Sequence, residues 1–302
     1  MNSKKDSVSD YLKPEVISTL DSLELKAKLL VEGFLIGMHK SPYHGFSVEF
    51  SEHRAYFPGA PIKHIDWKLY GKTEKYFIKK YEEETNLISH IICDVSASMN
   101  FSYGGRISKF EYAKLLSASL LYLIISQHDA VGLTFFSDRI ENSFPPKTSR
   151  AYLIKMLTAI ENQKTGEDTN ISSSLGKIAE KIKRRSLIIL ISDFFDDKDK
   201  MLKAIKEFKY NKNEVILFHL LDPTEINLDV GEESHFIDME NGAELITEPY
   251  QIRGEYRKSV QNFINEIKTE CLNFGVEYSL ITTDQPFDKA LLNYFIKRSK
   301  LT

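Results

Sequence analysis

Asp94-Val95-Ser96-Ala97-Ser98 places one carboxylate and two hydroxyls at alternate positions, directly after an apolar run from Leu87 to Cys93. The run reads as a buried strand, so these oxygens lie just past its C-terminal end. Ligands of open parallel α/β sheets bind at that edge. An oxygen-only donor set of this size suits a small, hard divalent cation. Mg2+ is the default, with Mn2+ or Ca2+ as alternatives.

Two further features fall where they can join the motif. Thr169 sits in Gly166-Glu167-Asp168-Thr169-Asn170, a loop that opens a helical pattern from Ile171. Asp193 follows a second apolar run, Leu187 to Ser192. Loops at the crossover of a doubly wound sheet converge on one crevice. Asp94, Ser96, Ser98, Thr169 and Asp193 are therefore expected to form a single metal site. The hydroxyls serve as neutral direct ligands, and the two aspartates act directly or through ordered water. So few anionic ligands leave a cation electrophilic, with an open position for a carboxylate from a partner protein. Each residue also has a plainer role. Thr169 can cap the helix that follows it. Asp193 can turn the chain after its strand, with Asp196 and Asp197 in a solvated acidic loop.

The elements that must position these residues alternate from Asn86 onward. Strands are expected at Leu87–Asp94, Ala130–Phe136, Leu187–Ser192, Glu214–Leu220 and Val276–Ile281, with a short edge strand at Arg139–Ser143. Helices are expected at Lys109–Gln127, Ser149–Asn162, Ile171–Lys183, Lys198–Lys209, Tyr250–Phe274 and Phe287–Arg298. Glu233 to Ile246 reads as an inserted hairpin with Glu240-Asn241-Gly242 at its tip. Near-continuous apolar strands alternating with helices predict an α/β fold with a doubly wound, mostly parallel sheet. Before residue 86, Thr19–His39 reads as an amphipathic helix with Asp21 as its N-cap. Phe46–Phe50 and Tyr76–Glu82 read as short extended pieces, and Ile62–Tyr70 as a helical turn or two. Residues 1–85 are a small α+β extension with no core of their own. They pack on a main domain spanning 86–302.

Composition excludes several classes. The chain has 302 residues, 42% of them hydrophobic and 27% charged, as expected of a globular protein. A formal net charge of −3 gives no field favouring nucleic acid or an anionic membrane. Cys93 and Cys271 read as two buried thiols, although a disulfide between them stays open. The histidines show no paired ligand spacing. The longest apolar segments, Leu115 to Ser126 and Ser186 to Ser192, are too short to span a bilayer. The basic N-terminus has no apolar stretch behind it. A cytoplasmic location follows as the expectation.

The spacing Asp94-x-Ser96-x-Ser98 resembles the metal-ion-dependent adhesion site of von Willebrand factor A domains. From about Gly37 to Arg298 the chain resembles the DUF58 family, which carries such a domain. The resemblance runs through Gly37-Met38-His39-Lys40-Ser41, Val48-Glu49-Phe50, Arg54-Ala55-Tyr56-Phe57-Pro58-Gly59, Ile65-Asp66-Trp67-Lys68 and Tyr81-Glu82-Glu83-Glu84-Thr85-Asn86. It continues in Gly132-Leu133-Thr134-Phe135-Phe136-Ser137, Ser192-Asp193-Phe194 and Leu221-Asp222-Pro223-Thr224-Glu225. The five metal positions all match. After Pro58-Gly59 the family carries acidic residues where this chain has Ala60-Pro61. The resemblance implies a von Willebrand A-like fold. It also implies a partnership with a MoxR-type AAA+ ATPase in chaperone-like maturation of other proteins.

Three functions compete on these residues. The first is a non-enzymatic, metal-dependent protein-binding adaptor. The second is a Mg2+-dependent phosphatase or phosphotransferase of haloacid-dehalogenase type, which also places an aspartate after its first strand. That chemistry requires a second carboxylate two residues on, where this chain has Ser96. No phosphate-binding lysine loop or dinucleotide glycine motif is present, and Tyr103-Gly104-Gly105-Arg106 reads as a turn. The third is a metal-free scaffold.

Overall fold

Leu187–Ser192 (LIILIS) has every residue buried, which identifies it as the centre of a sheet covered on both faces. The computed structural model describes Pro14 and residues 22–39, 54–55, 70–71, 76–78, 87–166, 171–231, 234–237 and 244–298. In chain order these contain α1 (Leu23–His39), β1 (Arg54–Ala55), β2 (Phe77–Ile78) and β3 (Ile88–Asp94). A turn of 3-10 helix, Ala97–Asn100, precedes α2 (Lys109–Ser126), β4 (Ala130–Phe136), β5 (Ile140–Lys147) and α3 (Arg150–Asn162). Then come α4 (Ile171–Lys181), β6 (Leu187–Ser192), α5 (Lys198–Tyr210), β7 (Glu214–Leu221) and a short α6 (Pro223–Asn227). The chain continues through β8 (Ser234–Ile237), β9 (Glu244–Thr247), α7 (Pro249–Asn273), β10 (Glu277–Thr282) and α8 (Asp288–Arg298).

The main sheet has six strands in the order β10-β7-β6-β3-β4-β5. All its pairs are parallel except β4 with the edge strand β5. This is the expected doubly wound α/β arrangement. The chain starts in the middle at β3, builds outward to β5, then returns to lay β6 on the other side of β3. The seam between β3 and β6 is thus the topological switch point. The edge strand runs to Lys147 and includes Pro145 and Pro146, where a short piece ending at Ser143 was expected. Prolines are tolerated at a sheet edge, and the β4–β5 register shifts between Val131 and Leu133. Gly132 is required there, because a Cβ would stand 2.7 Å from the Phe144 carbonyl oxygen.

The period of two along each strand divides the core into two layers. Ile91 and Cys93, Ile189 and Ile191, and Phe218 and Leu220 face one layer, with α1, α2, α3 and α8. Ile92, Ile188, Leu190, Val215 and Leu217 face the other, with α4, α5 and α7. Helix α1 joins the first layer through Ala27, Leu30, Val31 and Phe34, and Phe34 stacks on Phe295 of α8 at 5.4 Å. This N-terminal helix therefore shares the main core. Its expected cap, Asp21, lies outside the described residues, as do the pieces read at 46–50 and 62–69. The extended piece read at Tyr76–Glu82 appears as β2, paired antiparallel with β1. Strands β8 and β9 pair antiparallel with Ser234 opposite Thr247, and the tip between them is outside the described residues. Cys93 and Cys271 are buried free thiols, each pushed up to about 12 by burial.

Candidate metal centre

Asp94 ends β3, and Asp193 follows β6, its neighbour across the switch point. Both side chains are fully buried. Asp94 Oδ1 accepts the Ser96 amide at 2.8 Å, which folds the chain back over the strand end. The Ser96 and Ser98 hydroxyls lie 3.1 Å apart. Ser96 is buried and Ser98 half-buried, so Ser98 is the more exposed of the pair. The 3-10 turn Ala97–Asn100 gathers the two hydroxyls, and buried Met99 anchors it in the core.

Asp94 is held a second time, by Ser192. The Ser192 hydroxyl donates to Asp94 Oδ2 and accepts the Phe194 amide at 2.9 Å. Asp193 Oδ1 accepts the Phe195 amide at 3.2 Å, so Asp193 also turns the chain after its strand. Between them Phe194 adopts the left-handed backbone region, φ 58°, which is strained for a bulky side chain. The Asp94 carboxyl is pushed up to about 7, by burial first and by the charge of Asp193 second. Ser192 and Ser96 pull it the other way.

Thr169 lies outside the described residues, but both flanks of its loop are tied to the site. The Gly166 amide donates to the Val95 carbonyl at 2.6 Å. A Cβ on Gly166 would stand 3.2 Å from the Ser137 hydroxyl, so Gly166 lies close against the end of β4. On the far side the Ser172 amide donates to Asp196 Oδ2 at 3.0 Å. Asp197 caps α5 by accepting the Asp199 and Lys200 amides. Asp197 is exposed and Asp196 half-buried, so the expected solvated acidic loop is present, and both aspartates also accept backbone amides there.

The largest omission from the sequence reading is Lys109. Its ammonium, fully buried, lies 2.7 Å from Asp193 Oδ2 and 2.5 Å from Glu225 Oε1. Phe195 lies 5.0 Å from it, ring centroid to nitrogen. Burial works against the charge, but Asp193 and Glu225 outweigh it and hold Lys109 above the usual lysine range. Glu225 in turn accepts the Asp222 amide at 2.7 Å and completes a capping box on α6. Asp222, also buried, receives Arg106 through two nitrogens at 3.0 and 2.7 Å, and Thr283 at 3.0 Å. Burial alone would raise Asp222, yet Arg106 and the Thr224 and Thr283 hydrogen bonds hold it below the carboxylate range. A signal for Lys109 existed. It is the first residue of α2, where a cation opposes the helix dipole and needs another reason to be there.

Four of the five expected ligands therefore lie on adjoining strand ends, and three of them are linked by hydrogen bonds. Among the described residues no group of three or more His, Cys, Asp or Glu side chains is placed to hold a metal ion. The oxygens that the described residues offer a cation here are the Ser96 and Ser98 hydroxyls beside the two aspartates. That donor set fits a small hard divalent ion. Asp94 and Asp193 are neighbouring buried acids, and a cation would offset both the burial and the Asp193 charge that raise Asp94.

The family model described as a protein of unknown function, DUF58, matches residues 52–264. Uncharacterized proteins of Mycobacterium bovis and Mycobacterium tuberculosis are 24% identical over 225 residues, covering 72% of this chain and 69% of theirs. Among solved structures, BatB from Bacteroides thetaiotaomicron is 17% identical with a TM-score of 0.49, covering 72% of this chain and 100% of that one. The VWA domain of SpRpn10 is 13% identical with a TM-score of 0.41, covering 68% and 93%.

Proposed function

This chain belongs to the DUF58 family, and we propose that it is a non-enzymatic binding module that grips a partner protein through a divalent cation. Asp94, Ser96, Ser98, Thr169 and Asp193 would hold the ion, Mg2+ by default or Mn2+ or Ca2+ in its place. When bound, the cation supplies an electrophilic centre for a carboxylate of the partner. The observation that carries this reading is the buried pair Asp94 and Asp193 across the switch point, with the Ser96 and Ser98 hydroxyls 3.1 Å apart beside it.

The protein's own groups orient the site. Ser192 and the Ser96 amide fix both oxygens of Asp94. Lys109 and the Phe195 amide fix both oxygens of Asp193. None of these groups is a spare acid for phosphate chemistry. Glu225, the carboxylate on the other side of Lys109 from Asp193, is committed to Lys109 and to the Asp222 amide.

The family resemblance supports a MoxR-type AAA+ ATPase, or its client, as the carboxylate-bearing partner, and chaperone-like maturation as the task. A cytoplasmic setting belongs to the same proposal. Among the described residues no helix is long and apolar enough to cross a membrane. Affinity capture from the native host tests the proposal. Wild type in Mg2+ should recover a AAA+ ATPase or its client, and Asp94→Ala or excess chelator should lose it. Equal recovery under all three conditions contradicts it.

A further inference from the structure

Lys109 is unusual chemistry for the base of a cation site. Its ammonium has no solvent exposure, and it meets Asp193 Oδ2 on one side and Glu225 Oε1 on the other. It is not free to swing away. Its backbone amide donates to the Phe101 carbonyl at 3.2 Å, and its nitrogen sits beside the Phe195 ring. Glu225 is equally fixed, by the Asp222 amide through its other oxygen and by the Tyr256 hydroxyl at its carbonyl, 2.7 Å each. A resident positive charge is thus built against one of the two aspartates, and an anion is built behind it.

We infer that Lys109 is a positioning residue that keeps divalent-cation binding at the Asp94–Asp193 site weak until a partner carboxylate joins it. The inference rests on the metal reading above. The ammonium occupies Asp193 Oδ2 and repels a second cation nearby. Glu225 partly offsets that repulsion. A carboxylate arriving from a partner adds the missing negative charge, so ion and partner bind cooperatively. The site then binds the cation measurably but weakly alone and tightens on it when the partner joins.

The test is the affinity of the full chain for Mn2+ alone, measured by titration calorimetry on wild type, Glu225→Gln and the double variant Lys109→Met with Glu225→Gln. Glu225→Gln preserves shape and leaves the ammonium unbalanced, so Mn2+ should bind about tenfold more weakly, the scale of one unit charge near a buried site. Removing the ammonium as well should reverse the change and bind Mn2+ more tightly than wild type. A merely structural role would weaken binding in both variants, because both lose buried contacts. If the methionine variant does not fold, Lys109→Gln with Glu225→Gln takes its place. Equal weakening in both variants, or an unchanged affinity in Glu225→Gln, overturns the inference while leaving the metal reading intact. No Mn2+ binding by wild type overturns both.

Discussion

The Ser192 hydroxyl donates to Asp94 Oδ2 across the seam between β3 and β6, so the residue before one aspartate holds the other in place. The same hydroxyl accepts the Phe194 amide and supports the strained turn that aims Asp193. Ser192→Ala should leave one oxygen of a buried carboxylate short of a partner. A loss of about 1–3 kcal/mol is expected, read as a lower urea midpoint with an unchanged slope.

Asp94 should weaken the metal-free protein in exchange for its site. Its carboxyl titrates near 7 when folded, raised by burial and by Asp193, against 3.8 for the ordinary group. Between those values the native state binds the extra proton, so stability falls as pH rises through that window and stays low above it. In chelator at pH 8, Asp94→Asn should therefore raise the melting temperature, by a stabilisation on the order of 2–4 kcal/mol. The gain should vanish near pH 4. A variant no more stable than wild type at pH 8 would contradict the assignment.

His219 acts in the opposite sense. It is fully buried on β7, its Nδ1 2.8 Å from the Tyr278 hydroxyl and its ring edge-on to Phe194. Burial lowers it to about 4, and its Nε2 has no hydrogen-bond partner among the described residues. Here the unfolded state binds the extra proton between about 4 and 6.5. Its contribution is full above that window and is lost as pH falls through it. His219→Phe should flatten the acid side of the stability profile while costing about 1 kcal/mol at pH 8 for the lost Tyr278 bond. Thermal melts from pH 4 to 8 separate the two slopes.

The salt bridges should divide by burial. Arg106→Ala strips a fork from buried Asp222, leaving it the Thr224 amide and the Thr283 hydroxyl among the described residues. A loss of about 2–4 kcal/mol is expected. Arg139, 73% exposed in its pair with Glu141, should contribute less than about 0.5 kcal/mol when changed to Ala. Similar midpoints for the two variants in urea would refute the ranking.

The strand ends were legible because local pattern determines them. The runs Leu87 to Cys93 and Leu187 to Ser192 are bounded by acids and hydroxyls, and doubly wound topology alone brings their C-terminal ends together. Lys109 was not legible in the same way, since its partners are 84 and 116 residues distant along the chain. Ser192 was absorbed into its apolar strand, although only its position beside β3 makes it a positioning group. The short helix α6 was overlooked even though Asp222-Pro223-Thr224-Glu225 spells a capping box with proline at the first turn. Local spacing announced that feature, whereas the buried charges needed the tertiary fold.

The central claim is tested most directly by titrating Mg2+ and Mn2+ into the protein while following its melting temperature, with Asp94→Asn beside wild type. Binding to the native state alone must raise the apparent stability. The account predicts a concentration-dependent rise for wild type and none for Asp94→Asn, although that variant starts higher at pH 8. A flat response from wild type, or an equal rise in both proteins, would contradict a cation site built on Asp94.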